Sequence, residues 1–163
     1  MKNIISALVA ALALVWIGAP TTASAQQKPY VMGGVGDTAA YFFAPDELET
    51  NGNIRRARIY GVLANGPSLD NRQARFTTEY MEFDCGTKNR SRHLTLAAYD
   101  SNWGLIAESN EADAWEVRAA GSVAIDLVVA ICDYPKLIAE NATFNAERRT
   151  LSETVFRVLT EPN

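Results

Sequence analysis

The sequence predicts an α+β protein, in which an antiparallel β-sheet meander of about six strands is followed by a C-terminal helix. Between residues 28 and 107, short runs rich in β-branched and aromatic residues alternate with turn-forming Gly, Asn, Asp and Pro. Helical patterns do not alternate with these runs, which argues against a parallel sheet. One amphipathic segment follows them, at residues 123–132.

The strand predictions rest on alternation of apolar and polar residues. In the third predicted strand, Arg56 and Arg58 share a face with Tyr60 and Val62, so that face has a polar end. In the fourth, Met81, Phe83 and Cys85 lie together, opposite Tyr80, Glu82 and Asp84. In the fifth, Leu94, Leu96 and Ala98 lie opposite His93, Thr95, Ala97 and Tyr99. The predicted strands are 30–34, 39–44, 54–64, 73–85, 91–99 and 104–108, and 115–117 is a candidate for a last short one.

The helix prediction depends on its boundaries and its apolar stripe. Ser122 is a good N-cap, and Pro135 stops the helix soon after its end. The stripe facing the core is predicted to be Ile125, Val128, Val129 and Cys132. Farther along, the apolar residues at positions 151, 155, 158 and 159 indicate a short amphipathic helix that docks on the sheet.

The N-terminus has the three parts of a secretory signal peptide. Lys2 precedes an apolar run at residues 4–17, and Ala23-Ser24-Ala25 supplies a small-x-small cleavage site. Because this run is shorter than the about 20 residues of a membrane span, a retained anchor is the weaker alternative. No cysteine lies at the cut, so lipid attachment is not expected. The predicted organisation is a cleaved signal at 1–25, a sheet-plus-helix domain at 26–133 and a tail at 134–163.

Export determines how the two cysteines are interpreted. In an oxidising compartment an even pair of cysteines favours a disulfide, here between Cys85 and Cys132. The alternative is a reactive thiol, which requires an electropositive site. Asp84 and Asp133 flank the two cysteines and argue against it. The bond would tie the helix to the end of a central strand.

Composition and motifs give little support for catalysis. The formal net charge of −4 gives no indication of the basic surface that nucleic-acid binding requires. The sequence has one histidine, His93, and no GxSxG nucleophile motif. We therefore expect no catalytic residues, no metal site, no cofactor and no nucleic-acid partner. Lys88, Arg90, Arg92 and His93 could bind an anion, but a solvated hairpin turn and strand edge is the favoured interpretation.

Three further features have structural interpretations. Gly33-Gly34-Val35-Gly36 lacks a phosphate-binding pattern and indicates a turn. Trp103 and Trp115 could stack on a ligand, but Trp115 is more typical of a core residue. The acidic segment at residues 108–116 lacks a calcium-loop pattern and is expected to be a solvated surface.

Several short motifs follow one another between residues 28 and 133. They are Tyr41-Phe42-Phe43, Asn51-Gly52-Asn53, Arg55-Arg56-Ala57-Arg58-Ile59-Tyr60, Asp84-Cys85-Gly86, Arg90-Ser91-Arg92, Ala98-Tyr99-Asp100, Gly104, Trp115, Gly121-Ser122 and Cys132. With this succession of motifs the chain resembles the surface-adhesin protein E family. The resemblance implies a twisted antiparallel sheet with a helix tethered by the cysteine pair. It also implies a non-enzymatic surface protein that binds host matrix or serum proteins, and it transfers no ligand-binding residue.

The functional hypothesis is therefore an exported, non-enzymatic, adhesin-like binding module in the periplasm or at the cell surface. Its expected partners are host or envelope proteins, with no membrane anchor after signal cleavage. The alternative is a soluble periplasmic domain with an envelope-maintenance or small-ligand-carrying role. A flat basic surface or an edge strand would favour protein binding, and an aromatic groove would favour the carrier.

Overall fold

The computed structural model describes residues 27–139 and 143–161. The predicted signal peptide lies outside these residues. Within them, no helix combines the length and the apolar character needed to cross a membrane.

The strands follow the predicted runs closely, and several short strands are added to them. They are β1 (Lys28–Val35), β2 (Ala39–Phe43), β3 (Glu49–Asn51), β4 (Ile54–Leu63), β5 (Ser68–Leu69), β6 (Arg72–Gln73), β7 (Phe76–Asp84), β8 (Arg90–Tyr99), β9 (Leu105–Ser109), β10 (Glu116–Val117) and β11 (Thr143–Ala146). Nine of them form one sheet with the order β10-β8-β7-β4-β2-β1-β11, in which β3 also pairs with β4 and β9 with β8. All of its pairings are antiparallel, so the predicted α+β class and antiparallel sheet are confirmed.

The helices are α1 (Val123–Cys132), α2 (Tyr134–Ala139) and α3 (Arg148–Thr160). The helices α1 and α3 cover opposite faces of the sheet. The core under α1 contains Val31, Phe43, Ala57, Ile59, Met81, Phe83, Leu127, Val128 and Ile131. The core under α3 contains Tyr30, Phe42, Tyr60, Val62 and Phe76, against which Leu151, Val155, Phe156 and Leu159 pack. Tyr60 and Val62 in β4 are buried on this second face, while the polar end of the same face remains at Arg56 and Arg58.

The α1 boundaries are as predicted, but its buried stripe is rotated from the predicted one. Ser122 is the N-cap, and its hydroxyl accepts a hydrogen bond from the Ile125 amide at 3.3 Å. Val129 was expected to face the core, but it is 43% exposed, and this part of the prediction is wrong. Leu127 and Ile131 occupy the buried stripe instead, because the helix packs on β1 as well as on β7.

The end of α1 is held to the sheet by a covalent bond and by an arginine. Cys85 and Cys132 form the predicted disulfide, with their Cα atoms 5.3 Å apart. On β4, Arg55 Nη1 donates to the Cys132 carbonyl oxygen at 2.7 Å and also to that of Ile131. Carbonyl groups at a helix C-terminus lack partners within the helix, so a cation there is favourable. The two contacts fix the C-terminal end of α1 over β4 and β7.

Two glycines of the predicted turn lie in strand β1, at the place where α1 packs closely on it. Gly33 and Gly34 lie inside β1, where the pairing with β2 shifts register, and both are buried. A Cβ at Gly34 would lie 2.8 Å from the Val123 carbonyl oxygen, and one at Gly33 would lie 2.5 Å from Leu127 Cδ1. The turn interpretation is therefore wrong for Gly33 and Gly34, whereas Gly36 lies in the turn between β1 and β2, where its amide donates to the Ala39 carbonyl oxygen at 2.8 Å. Gly34 is required because the backbone of α1 approaches the strand too closely for a side chain, and Gly33 makes room for the Leu127 side chain.

Gly34→Ala should destabilise the protein by about 1–2 kcal/mol, because the added methyl group meets backbone that cannot rotate away. Gly33→Ala is the matched control, since the added methyl group meets the end of the flexible Leu127 side chain. The loss of stability in this variant should therefore be smaller. Thermal unfolding of both variants measures the difference. Equal stability of Gly34→Ala and the parent protein would show that α1 does not pack this closely on β1.

Candidate functional site

One end of the α3-side sheet face is left open and carries arginine and aromatic side chains. Because α3 covers only the other end, this open area lies across β4, β7 and β8. We call it the arginine face, and it consists of Arg56, Arg58, Tyr80, Arg90, Arg92 and Trp115.

A buried carboxylate positions two of these arginines. Glu82 on β7 is 4% exposed and lies between its cross-strand neighbours Arg56 and Arg92. Arg56 Nε donates to Glu82 Oε1 at 2.8 Å, and Arg92 Nε donates to Oε2 at 2.7 Å. Burial alone would raise the pKa of Glu82, but the hydrogen bonds from Arg56 and Arg92 outweigh it and lower the pKa. Glu82 therefore stays ionised and holds both guanidinium groups in place.

A second arginine–carboxylate pair, Arg90 with Asp84, and the indole ring of Trp115 continue the arginine face along β8. Arg90 Nε donates to Asp84 Oδ2 at 2.7 Å, and this hydrogen bond lowers the pKa of Asp84. The guanidinium carbons of Arg90 and Arg92 lie 5.2 and 5.0 Å from the centre of the Trp115 ring. Trp115 is thus a half-buried member of the surface and not the core residue that was expected. Its ring face stabilises both cations.

The stretch from Lys88 to His93 does not form one anion site. Lys88 pairs with Asp133 at 2.6 Å, Arg90 and Arg92 pair with β7 carboxylates, and His93 lies on the opposite sheet face. The predicted hairpin turn is present at residues 85–89, between β7 and β8. The predicted strand edge is wrong for the two ends of β8, because β10 and β9 pair with them on the side away from β7.

A β-bulge places His93 on the α1 side of the sheet. The pairing of β7 with β8 shifts register between Tyr80 and Met81, so that Tyr80 faces Thr95 and Met81 faces His93. Strict alternation of side chains along β8 placed His93 on the same sheet face as Thr95. That assignment is wrong, because Leu94 is the extra residue of the bulge. Bulges commonly redirect a side chain in this way.

His93 lies between two carboxylates in a pocket under α1. Its Nε2 is 3.0 Å from Glu79 Oε2, and its Nδ1 is 3.1 Å from Asp113 Oδ2. Glu79 is only 7% exposed, and its other oxygen accepts a hydrogen bond from the Thr77 hydroxyl at 2.7 Å. The hydrogen bond with Glu79 raises the pKa of His93, although burial opposes this effect. Protonated His93 can donate to both carboxylates.

The pocket has a polar side on the sheet and an apolar wall on α1. We call it the His93 pocket; its volume is about 210 Å³, and it is lined by Ala39, Tyr41, Glu79, Met81, Ser91, His93, Arg118, Val123, Ala124 and Leu127. Arg118 Nε donates to the Ser91 hydroxyl at 2.8 Å, and Nη1 pairs with Glu116. Arg118 Nη2 is buried and has no hydrogen-bond partner among the described residues.

Sequence reasoning found the arginine cluster and the lone histidine but missed Tyr41, Glu79 and Arg118. One signal was available, because Glu79 alternates with Met81 and Phe83 on the predicted apolar face of its strand. A carboxylate at such a position requires a partner. The described part of the chain contains no group of three or more His, Cys, Asp or Glu side chains placed to hold a metal ion.

Comparison with known families gives one match. The model of surface-adhesin protein E matches residues 30–133. No curated protein and no solved structure matches the chain. The matched residues run from β1 to just beyond α1, and so include both cysteines, the arginine face and the His93 pocket. Because this match covers more than half of the sequence, the chain belongs to the surface-adhesin protein E family.

Proposed function

We propose that this protein is an exported, non-enzymatic, adhesin-like module that binds an acidic surface of a protein partner through its arginine face. Membership of the family suggests an adhesin-like surface protein. The amino-terminal signal sequence supports export. The observation that carries the proposal is the set of guanidinium groups held in place over buried carboxylates, next to Trp115.

The composition of this face suits protein binding. Arginine, tyrosine and tryptophan are the residues that most often dominate the binding energy of protein interfaces. Glu82 and Asp84 are buried beneath the surface, whereas Arg56 and Arg90 are more than two-fifths exposed. The groups around Trp115 that meet a partner are therefore mainly cations, whereas Glu47 and Glu49 lie beside Arg58 and Tyr80 at the other end of the face.

Preorganisation strengthens the argument. A flexible arginine loses side-chain entropy when it is fixed in an interface. Here Arg56, Arg90 and Arg92 are already fixed by hydrogen bonds to β7. Arg58 is held less tightly, because its ion pair with Glu47 spans 4.0 Å. Its side chain is 54% exposed, so it can also pair with a carboxylate of a partner.

Trp115→Ala and Arg58→Ala should each weaken binding to the protein partner by about tenfold or more, as expected for residues at the centre of an interface. The measurement is the equilibrium binding of the purified protein to immobilised serum proteins and to a basement-membrane extract. Arg157→Ala on α3 is the matched control, since Arg157 is an exposed arginine outside this face, and its affinity should stay within about twofold.

Thermal unfolding establishes that the variants are folded. Binding that weakens on addition of salt fits an arginine-mediated contact. Two results would contradict the proposal: parental affinity in both face variants, or the same loss of affinity in Arg157→Ala. Absence of binding by the parent protein to either preparation would contradict the adhesin-like function itself.

A further inference from the structure

We propose that the His93 pocket binds a small carboxylate with a short apolar body, through Arg118 and Tyr41. This site is distinct from the arginine face, because it lies on the opposite side of the sheet, under α1. The proposal therefore goes beyond protein binding and does not depend on it.

Two hydrogen-bond donors in the pocket are available to a ligand oxygen. Arg118 Nη2 has no partner among the described residues, although the other two guanidinium nitrogens are engaged. Hydrogen bonds among the described side chains do not use the Tyr41 hydroxyl either. A buried donor such as Arg118 Nη2 is costly without an acceptor, and a bound ligand oxygen would relieve that cost, with the Tyr41 hydroxyl as a second donor.

Tyr41 remains a donor at any physiological pH. Burial and then the negative charge of Glu79 raise the pKa of Tyr41 to about 12. Its hydroxyl therefore keeps its proton and favours an acceptor. Arginine likewise donates and never accepts.

The position of Arg118 in the pocket suits an anion. Glu79 pairs with His93, so Arg118 is the cation that remains for a ligand carboxylate. Arg118 is only 16% exposed, whereas its partner Glu116 and the outer carboxylate Asp113 are each more than half exposed and are screened by water. The first turn of α1 also lies beside the pocket, and a helix N-terminus carries partial positive charge.

The shape of the pocket limits the size of the ligand. Drug-sized ligands occupy pockets of roughly 300–1,000 Å³, and this pocket is smaller, at about 210 Å³. Val123, Ala124 and Leu127 supply an apolar wall opposite the polar groups. The ligand is therefore a short-chain organic acid whose hydrocarbon part packs on α1.

Butyrate is the probe for this site, observed through amide chemical-shift changes in the purified protein. We expect saturable shifts around Tyr41, His93 and Arg118 with a Kd on the order of 1 mM, since so few atoms support only weak affinity. Butyramide and butylammonium have the same chain length without the negative charge, and they should bind at least about tenfold more weakly.

Tyr41→Phe removes a single oxygen and should weaken butyrate binding about tenfold, as for loss of a hydrogen bond to a charged group. Tyr80→Phe is the matched control on the opposite face, where its hydroxyl donates to Glu49, and it should leave the affinity unchanged. Arg118→Gln should abolish binding, and a thermal melt shows whether that variant is folded.

Four outcomes would overturn the proposal. They are no shifts in the pocket at ten times the expected Kd, shifts confined to the arginine face, equal binding of butyramide, and unchanged affinity in Tyr41→Phe. Binding of butyrate at the pocket by a protein that fails to bind serum or matrix proteins would support this site and contradict only the function proposed for the other face.

Discussion

Removal of the Cys85–Cys132 disulfide should lower the free energy of unfolding by about 2–5 kcal/mol. The bond closes a loop of 47 residues between the end of β7 and the last residue of α1. The unfolded chain therefore gains conformational entropy when the bond is absent, and the C-terminal end of α1 loses its covalent link to β7. For a domain of this size, Cys85→Ser with Cys132→Ser should lower the melting temperature by about 10 °C.

Chemical reduction of the parent protein is the matched control, because it breaks the same bond without changing the sequence. Its melting temperature should fall by a similar amount. Thiol counting provides the direct check, with no free thiol expected in the untreated protein and two after denaturation and reduction. Two free thiols in the untreated protein, or a melting temperature that does not respond to reduction, would contradict a stabilising disulfide.

Local sequence information was sufficient for α1 and for the tether. Ser122 can cap a helix through its own side chain, and the apolar spacing after it needs no knowledge of the rest of the fold. The pairing of Cys85 with Cys132 followed from the number of cysteines and from predicted export. These features depend on nearby residues or on counting, so the sequence alone determines them.

Features that depend on partners from distant segments could not be predicted in the same way. Tyr60 and Val62 are buried because α3, about ninety residues later in the chain, covers their face. Val129 is exposed because tertiary packing, rather than its spacing, determines which side of α1 meets the sheet. Gly33 and Gly34 indicated a turn, because the close approach of α1 to β1 depends on residues about ninety positions later in the chain.

The candidate sites show the same division. Arg90 and Arg92 could be found as a basic cluster, but not their pairing with Asp84 and Glu82, which depends on strand register. His93 was assigned to the wrong face because a bulge adds one residue to β8. A one-residue shift reverses which side of the sheet a side chain occupies, and alternation alone cannot reveal it.

The protein should lose stability as the pH rises above about 6.5 and passes through the raised pKa of His93, because His93 is deprotonated there. The hydrogen bond with Glu79, opposed by burial, raises the pKa of His93 above its ordinary value of 6.5. The folded state therefore binds this proton more tightly than the unfolded state. Its contribution is fully present below pH 6.5 and is lost as the pH passes through the raised pKa.

His93→Gln should destabilise the protein by about 2–3 kcal/mol at pH 6, because it leaves the buried Glu79 carboxylate without a cationic partner. The side chain of His93 is 25% exposed, so the loss is expected to be smaller than for a fully buried pair. It should nevertheless exceed the small cost that an exposed histidine on a strand edge would carry.

Urea unfolding of the parent protein and of His93→Gln at several pH values between about 6 and 8 measures both effects. The chain contains one histidine, so the variant should show a nearly flat stability profile across this range. Asp113→Asn is the matched control, because it removes only the outer, more exposed carboxylate, and it should retain most of the pH dependence. A parent protein whose stability is constant over this range, or a variant that keeps the full slope, would show that the His93–Glu79 pair does not stabilise the fold.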